Sequence, residues 1–361
     1  MMLTRKKMNK SALVKSSALS AGFSLVELMV GMVIGLIATI VIFNVLNNFE
    51  NQKRATTGNS DAQTNGAIGL FQIQHDAQSA GFGLPVYGQD QLAFNCPVAT
   101  AMDTSIPTDG VNDVDLTPIR ITDGGAGSDI IDIQMGDSPQ GGVPVEMAIG
   151  TAANIARVPT NMGCRALEAG VYLGDIALTM NGAIGTPNCA LSRVIAVSPA
   201  AAAITTITLS SATNVAAGSL VACLGNWRRI QYSIVNNELT RAGSAVVSDI
   251  VNLQAQYGIS ASGNSNDITA WVEPTGGTWA APTAANRNRI KAIRVAITAR
   301  NGQITPANVT AAAPVAWVGI AGSPAPAINL AGLANWQRYR YRVYETIIPV
   351  KNMIYSRELA I

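Results

Sequence analysis

Residues 23–43 read FSLVELMVGMVIGLIATIVIF, a run without Lys, Arg, Asn or Pro and with one ionisable side chain, Glu27. A helix rises about 1.5 Å per residue, so this run reaches roughly 31 Å, one hydrocarbon core. Its flanks set the orientation. Residues 1–22 carry Arg5, Lys6, Lys7, Lys10 and Lys15 and no acid. By the positive-inside tendency this end stays in the cytoplasm and the rest of the chain is exported. A secretory signal peptide has a shorter apolar region and then a small-residue cleavage site. Here NVLNNFENQKR follows instead, so the run is expected to stay on the mature chain. Glu27 is the anomaly. A carboxylate at mid-bilayer costs about 3 kcal/mol, so it must reach the headgroups or neutralise a positive charge from another chain.

Gly22–Gly35, GFSLVELMVGMVIG, resembles the type IV pilin signature: Gly, a cleavage point, Phe, then a Glu four residues on, then an unbroken apolar stretch. The resemblance implies that a prepilin peptidase cuts between Gly22 and Phe23 and that the new amine of Phe23 is N-methylated. It also implies that Glu27 pairs with the terminal amine of a neighbouring subunit, as a registration device for stacked helices.

The charge balance follows from the leader. It holds five of the 24 basic residues and none of the 22 acids, so the mature chain is slightly acidic and the basic pI is no argument for nucleic acid. Four cysteines, Cys96, Cys164, Cys189 and Cys223, all follow the apolar run. An exported chain with an even count favours two disulfides, with three possible connectivities. Cys164 with Cys189 closes the shortest loop and is the preferred pair, leaving Cys96 with Cys223. Absence of C-x-x-C spacing and a single histidine speak against a zinc site.

Past Phe43 the chain turns polar but keeps a helical period. Leu70, Ile73, Ala77 and Ala80 share one face, and Gly81 and Pro85 supply the stop. The expectation is one helix from about Phe23 to Ala80, roughly 85 Å long, softened at Gly58, Gly66 and Gly69. Strand patterns follow. Ser128–Gly136 alternates Ile131 and Ile133 against Asp132 and Gln134. Arg228–Gly243 reads as a hairpin turning at Asn236-Asn237. Ile290–Arg300 and Arg338–Val350 are strands, Asp249–Ser260 is a short helix or a strand, and Ala311–Gly332 is a long loop.

These pieces extend the resemblance. HDAQSAGFG is similar to the Asp-x-x-x-Ala-Gly-aromatic segment that ends the helix in PilW-like minor pilins. VNLQAQYG, IKAIRVAITAR and YRYRVYETIIPVKN follow in that family's order, and are also similar to J-type minor pseudopilins of type II secretion.

No catalytic constellation emerges. His75, the one histidine, sits beside Asp76 on the expected helix, where a surface or packing role is expected. Asp129 and Asp132 mark no cleft. Asp109, Asn112, Asp113 and Asp115 are oxygen ligands suited to calcium but lack EF-hand spacing, so a solvated turn is preferred. TDGGAGSD lacks the Lys-Ser/Thr of a phosphate loop. Charge is uneven: 12 acids and one base from Asp61 to Glu146, eight bases and no acid from Arg287 to Arg342. Arg338, Arg340 and Arg342 fall on one expected strand face, giving a solvated surface or a docking surface for an acidic neighbour; DNA is a third alternative.

The reading is an α+β protein. Residues 1–22 are a cleaved leader, 23–80 a pilin helix with 23–43 transmembrane, and 81–361 an exported β-rich, pilin-like head. The resemblance implies a minor pilin, not an enzyme and without a cofactor, that acts in type IV pilus assembly at the inner membrane. Its implied partners are the prepilin peptidase and other minor and major pilins. The alternatives are a type II secretion pseudopilin and a helix-tethered protein that binds DNA or a surface.

Overall fold

The computed structural model describes residue 22 and residues 24–84, 98–101, 113–140, 142–148, 154–159, 161–181, 188–198, 204–211, 218–319 and 325–355. The elements run α1 (Leu25–Gln78), β1 (Val98–Ala101), β2 (Asp113–Asp115), β3 (Ile119–Thr122), β4 (Ile130–Met135), β5 (Val145–Glu146), β6 (Ile155–Val158), β7 (Ile176–Asn181), β8 (Asn188–Ser198) and β9 (Thr205–Leu209). They continue with β10 (Leu220–Gly225), β11 (Arg228–Val235), β12 (Glu238–Arg241), β13 (Ser244–Ser248), β14 (Ile250–Ser260), β15 (Ile268–Val272), α2 (Gly276–Trp279), α3 (Ala284–Arg287), β16 (Ile290–Arg300), β17 (Tyr341–Pro349) and α4 (Lys351–Tyr355). The α+β expectation of a long apolar helix ahead of a β-rich globular part holds. Packing divides the chain between Arg54 and Ala55, within α1.

The strands form three sheets, in the orders β2-β1-β8-β7-β10-β5, β13-β12-β11-β4-β3 and β15-β14-β16-β17. The first also takes in β9, beside β8, and β6, beside β9. One core joins the second half of α1 to the five-stranded and four-stranded sheets and to one face of the first sheet: Ile73, Ala77, Ile131, Ile133, Leu191, Tyr232 and Ile297 all lie in it. A second core, with Ala177, Ile207 and Val221, lies on the other face of the first sheet.

Local chemistry explains the elements. The turn between β11 and β12 is Asn236-Asn237, with φ of 53° and 63°, and Val235 pairs with Glu238. Asparagine tolerates this left-handed region, which matches the strand twist. The Asp249–Ser260 segment resolves as strand β14. Its inward residues Leu253, Ala255, Tyr257 and Ile259 enter the core. The alternating amides Asn252 and Gln254 each donate to the Gly127 carbonyl. A helix would scatter both sets around its circumference. The region 311–332 has no strand among its described residues, but Trp317, Ile328 and Leu330 pack on Val251 and Ala296 of β14 and β16. Arg338 corrects the expected strand: Trp336–Arg338 is a 3-10 turn, and β17 begins at Tyr341.

The disulfide pairing differs from the loop-length expectation. Cys164 bonds to Cys223, not to Cys189. Cys189 is also disulfide-bonded, and Cys96 lies outside the described residues. The reason is the pleat. Cys223 pairs with Ala177 and faces the second core, whereas Cys189 pairs with Met180 and faces the first. Cys164 packs on the second core, so the sheet itself stands between it and Cys189. Loop entropy alone ignores that barrier. The Cys164–Cys223 bond closes 59 residues. Its removal by Cys223→Ala is expected to cost about 4 kcal/mol by chain entropy. Non-reducing peptide mapping checks the pairing: a Cys164–Cys189 peptide would refute it.

Candidate functional site

From Leu25 to Arg54 every residue of α1 is exposed around the full circumference. Val26, Met29, Ile34, Ile37 and Phe43 are among them. A helix apolar on all sides has no stripe to bury on one partner surface, so it needs lipid or other helices all round. The segment is long and apolar enough to cross a bilayer. Its one hydroxyl in the run past Ser24, Thr39 Oγ1, donates to the Gly35 carbonyl at 2.7 Å, which satisfies it without water. Glu27 lies in the first helical turn, where the unpaired N–H groups favour a negative charge. Gly22 precedes the helix and is exposed, with open space where a side chain would be. Phe23 lies outside the described residues.

The second half of α1 buries one stripe: Gly58, Ala62, Gly66, Gly69, Ile73, Asp76 and Ala77. These spacings of three and four are the helical period. The three glycines do not soften the helix, which runs through them unbroken; they let it approach the sheet. A Cβ on Gly66 would lie 2.2 Å from Cδ2 of Tyr344 on β17. One on Gly69 would meet Ile297 Cδ1 at 2.9 Å, and one on Gly58 would overlap the Asn301 amide. Gly81, at φ +75°, lies within the turn that follows the helix.

Asp76 is the polar exception on this stripe. Its Oδ2 accepts from Tyr232 Oη at 2.7 Å and from Arg241 Nε at 2.7 Å, and its Oδ1 accepts from Arg241 Nη2 at 3.2 Å. Burial pushes the carboxyl upward, but bonds from Arg241, Tyr232 and His75 outweigh it and hold the group below its ordinary value. Helix and hairpin β11–β12 are thereby locked in register. The sequence placed Asp76 between Ile73 and Ala77, and that acid inside an apolar stripe was the available signal. His75 points outward, with its ring 6.3 Å from that of Phe71 and its Nδ1 3.4 Å from Asp76 Oδ1.

The other singled-out residues do not converge. Asp109 and Asn112 lie outside the described residues, while Asp113 and Asp115 stand on β2. Among the described residues no three His, Cys, Asp or Glu side chains gather as a metal site. Asp132 is buried and paired with Arg229 at 3.0 Å. Asp129 is buried and accepts from the Gly124 and Ala255 amides; burial pushes its carboxyl up to about 7 despite them. The TDGGAGSD loop thus serves to seat Asp129 on β14. Two of the eight bases of the segment 287–342 pair with acids among the described residues: Arg300 with Asp249 at 2.6 Å and Arg294 with Glu345 at 3.9 Å.

Residues 221–352 match the family model of the type IV pilus-assembly protein W. The match runs from β10 into α4 and contains the whole four-stranded sheet on which α1 docks. No curated protein and no solved structure matches the chain. The family match supports a place for this chain in type IV pilus assembly.

Proposed function

We propose that the chain is a minor pilin, a structural and non-catalytic subunit that primes type IV pilus assembly at the inner membrane. One observation carries this reading. A single helix is apolar and exposed on all sides over its first part, and over its second part is docked by glycines onto the four-stranded sheet and by a buried ion pair onto the hairpin β11–β12, both within the residues matched by the pilus-assembly family. Such a helix holds the subunit in lipid until neighbouring helices replace the lipid. The globular part then lies in the periplasm. The prepilin peptidase frees the Phe23 amine, and Glu27 of one subunit pairs with that amine of the next.

Two desolvated charges are favourable only as a pair, and removing one strands the other. Glu27→Gln is therefore expected to insert and be cleaved normally but to join filaments, and to co-purify with partner pilins, poorly. Normal piliation with wild-type co-purification would remove the registration role. Processing is tested separately. Gly22 leaves the peptide bond open to the peptidase, and a β-branched side chain there would crowd it. Gly22→Val is expected to remain full-length in the membrane; mass spectrometry that finds a Phe23 N-terminus in this variant would refute the cleavage site.

A further inference from the structure

We propose that the free edge of β17 binds an extended acidic strand of a neighbouring protein, adding it to the four-stranded sheet. β17 is the last strand in the order β15-β14-β16-β17. Its register with β16 is unbroken, from Ala292 opposite Pro349 to Arg300 opposite Tyr341. On either side of that ladder, Val350 N donates to the Lys291 carbonyl at 2.9 Å and Asn301 N donates to the Arg340 carbonyl at 2.8 Å. In an antiparallel pair the bonded positions alternate, so the even-numbered residues of β17 bond to β16. The odd-numbered ones, Tyr341, Val343, Glu345 and Ile347, turn their N–H groups away from it. Among the described residues nothing accepts from these four donors. Pro349 occupies the next outward position, where a missing N–H costs the ladder nothing. The four donors span roughly 20 Å, the length of an ordinary strand.

Charge selects the occupant. Glu345 is matched by Arg294, whereas Arg340 and Arg342 are exposed and have no acidic partner among the described residues. The edge is therefore positive. A second copy of the edge offers these arginines only Glu345, which Arg294 already matches, so self-pairing brings no new charge match. An acidic strand gains both the main-chain bonds and the charge match. The exposed Ile347 side chain adds an apolar contact at one end. The inference rests on the assembly reading only for the source of that strand, a neighbouring subunit.

The test uses the full chain in detergent micelles and a blocked nine-residue peptide alternating Val and Asp. Residue-resolved hydrogen exchange should slow by about tenfold or more at Val343, Glu345 and Ile347 on saturation, the loss expected when an exposed amide gains a partner. Ile347→Pro deletes an outward donor and leaves the β16 ladder intact, so it should weaken the peptide roughly tenfold. Arg342→Glu changes only an exposed side chain, and should abolish the preference for the Asp peptide over its Lys counterpart even if the proline variant fails to fold. Unchanged exchange at saturating peptide, equal binding of the Lys peptide, or a single-stranded oligonucleotide that binds more tightly than the Asp peptide without protecting these amides would each overturn the proposal. Failure here with Glu27→Gln still defective in piliation removes only the edge. Success here with normal piliation of Glu27→Gln removes only the registration role.

Discussion

Gly66→Ala is expected to destabilise the globular part by about 1–3 kcal/mol, the range for overpacking a filled interface. The sign is the informative part. Intrinsic propensity alone favours alanine over glycine in a helix by about 1 kcal/mol. Against that, the added Cβ would sit 2.2, 2.5 and 2.9 Å from three ring carbons of Tyr344. A planar ring between the helix and its own strand, β17, cannot yield as the end of a flexible chain can. At Gly69 the nearest atoms are the terminal carbons of Ile297 and Leu239, so Gly69→Ala should cost less. Gly35→Ala, with open space around the new carbon, should leave the melting of the globular part unchanged. Chemical denaturation of the three variants checks the order; a stabilised Gly66→Ala would show that α1 does not dock through its glycines.

Asp76→Ala should be the costliest substitution of a charged side chain on α1, at roughly 3 kcal/mol. It leaves the buried Tyr232 hydroxyl and the Arg241 guanidinium without their shared acceptor, and the estimate sits at the low end for a broken buried pair because Arg241 keeps access to solvent. Asp76→Asn keeps one acceptor oxygen and should lose less. The pH dependence has a definite sign. The folded carboxyl titrates below its ordinary value of 3.8, so its contribution is fully present above about pH 4 and is lost as the pH falls through the lower folded value. The stability gap between wild type and Asp76→Asn should therefore shrink below pH 4. A gap that stays constant down to pH 2 would mean that the ionised carboxylate contributes nothing.

Much of this architecture was legible in the chain. The apolar run, the stripe through Ile73, Ala77 and Ala80, the alternation in Ile130–Met135 and the Asn236-Asn237 turn are local patterns, and each follows from a repeat of 3.6 or 2 or from a φ preference. The β14 segment was ambiguous because its outward amides are buried, and only the Gly127 carbonyl facing them explains why they lie there. Arg338 misled because alternation continued into residues whose backbone bends in a 3-10 turn.

The sequence by itself determined that the chain carries an all-round apolar helix marked by Gly22 and Glu27, and that strands follow it. These properties depend on residues a few positions apart. Tertiary structure alone decided the rest. The three glycines became close-approach points only because β16 and β17 lie beneath them. Asp76 became the lock of the helix only because Tyr232 and Arg241 reach it from more than 150 positions away. Cys164 chose Cys223 because a sheet separates it from Cys189. In each case the deciding atoms are far apart in the chain, and no local period or loop length reports which surfaces will meet.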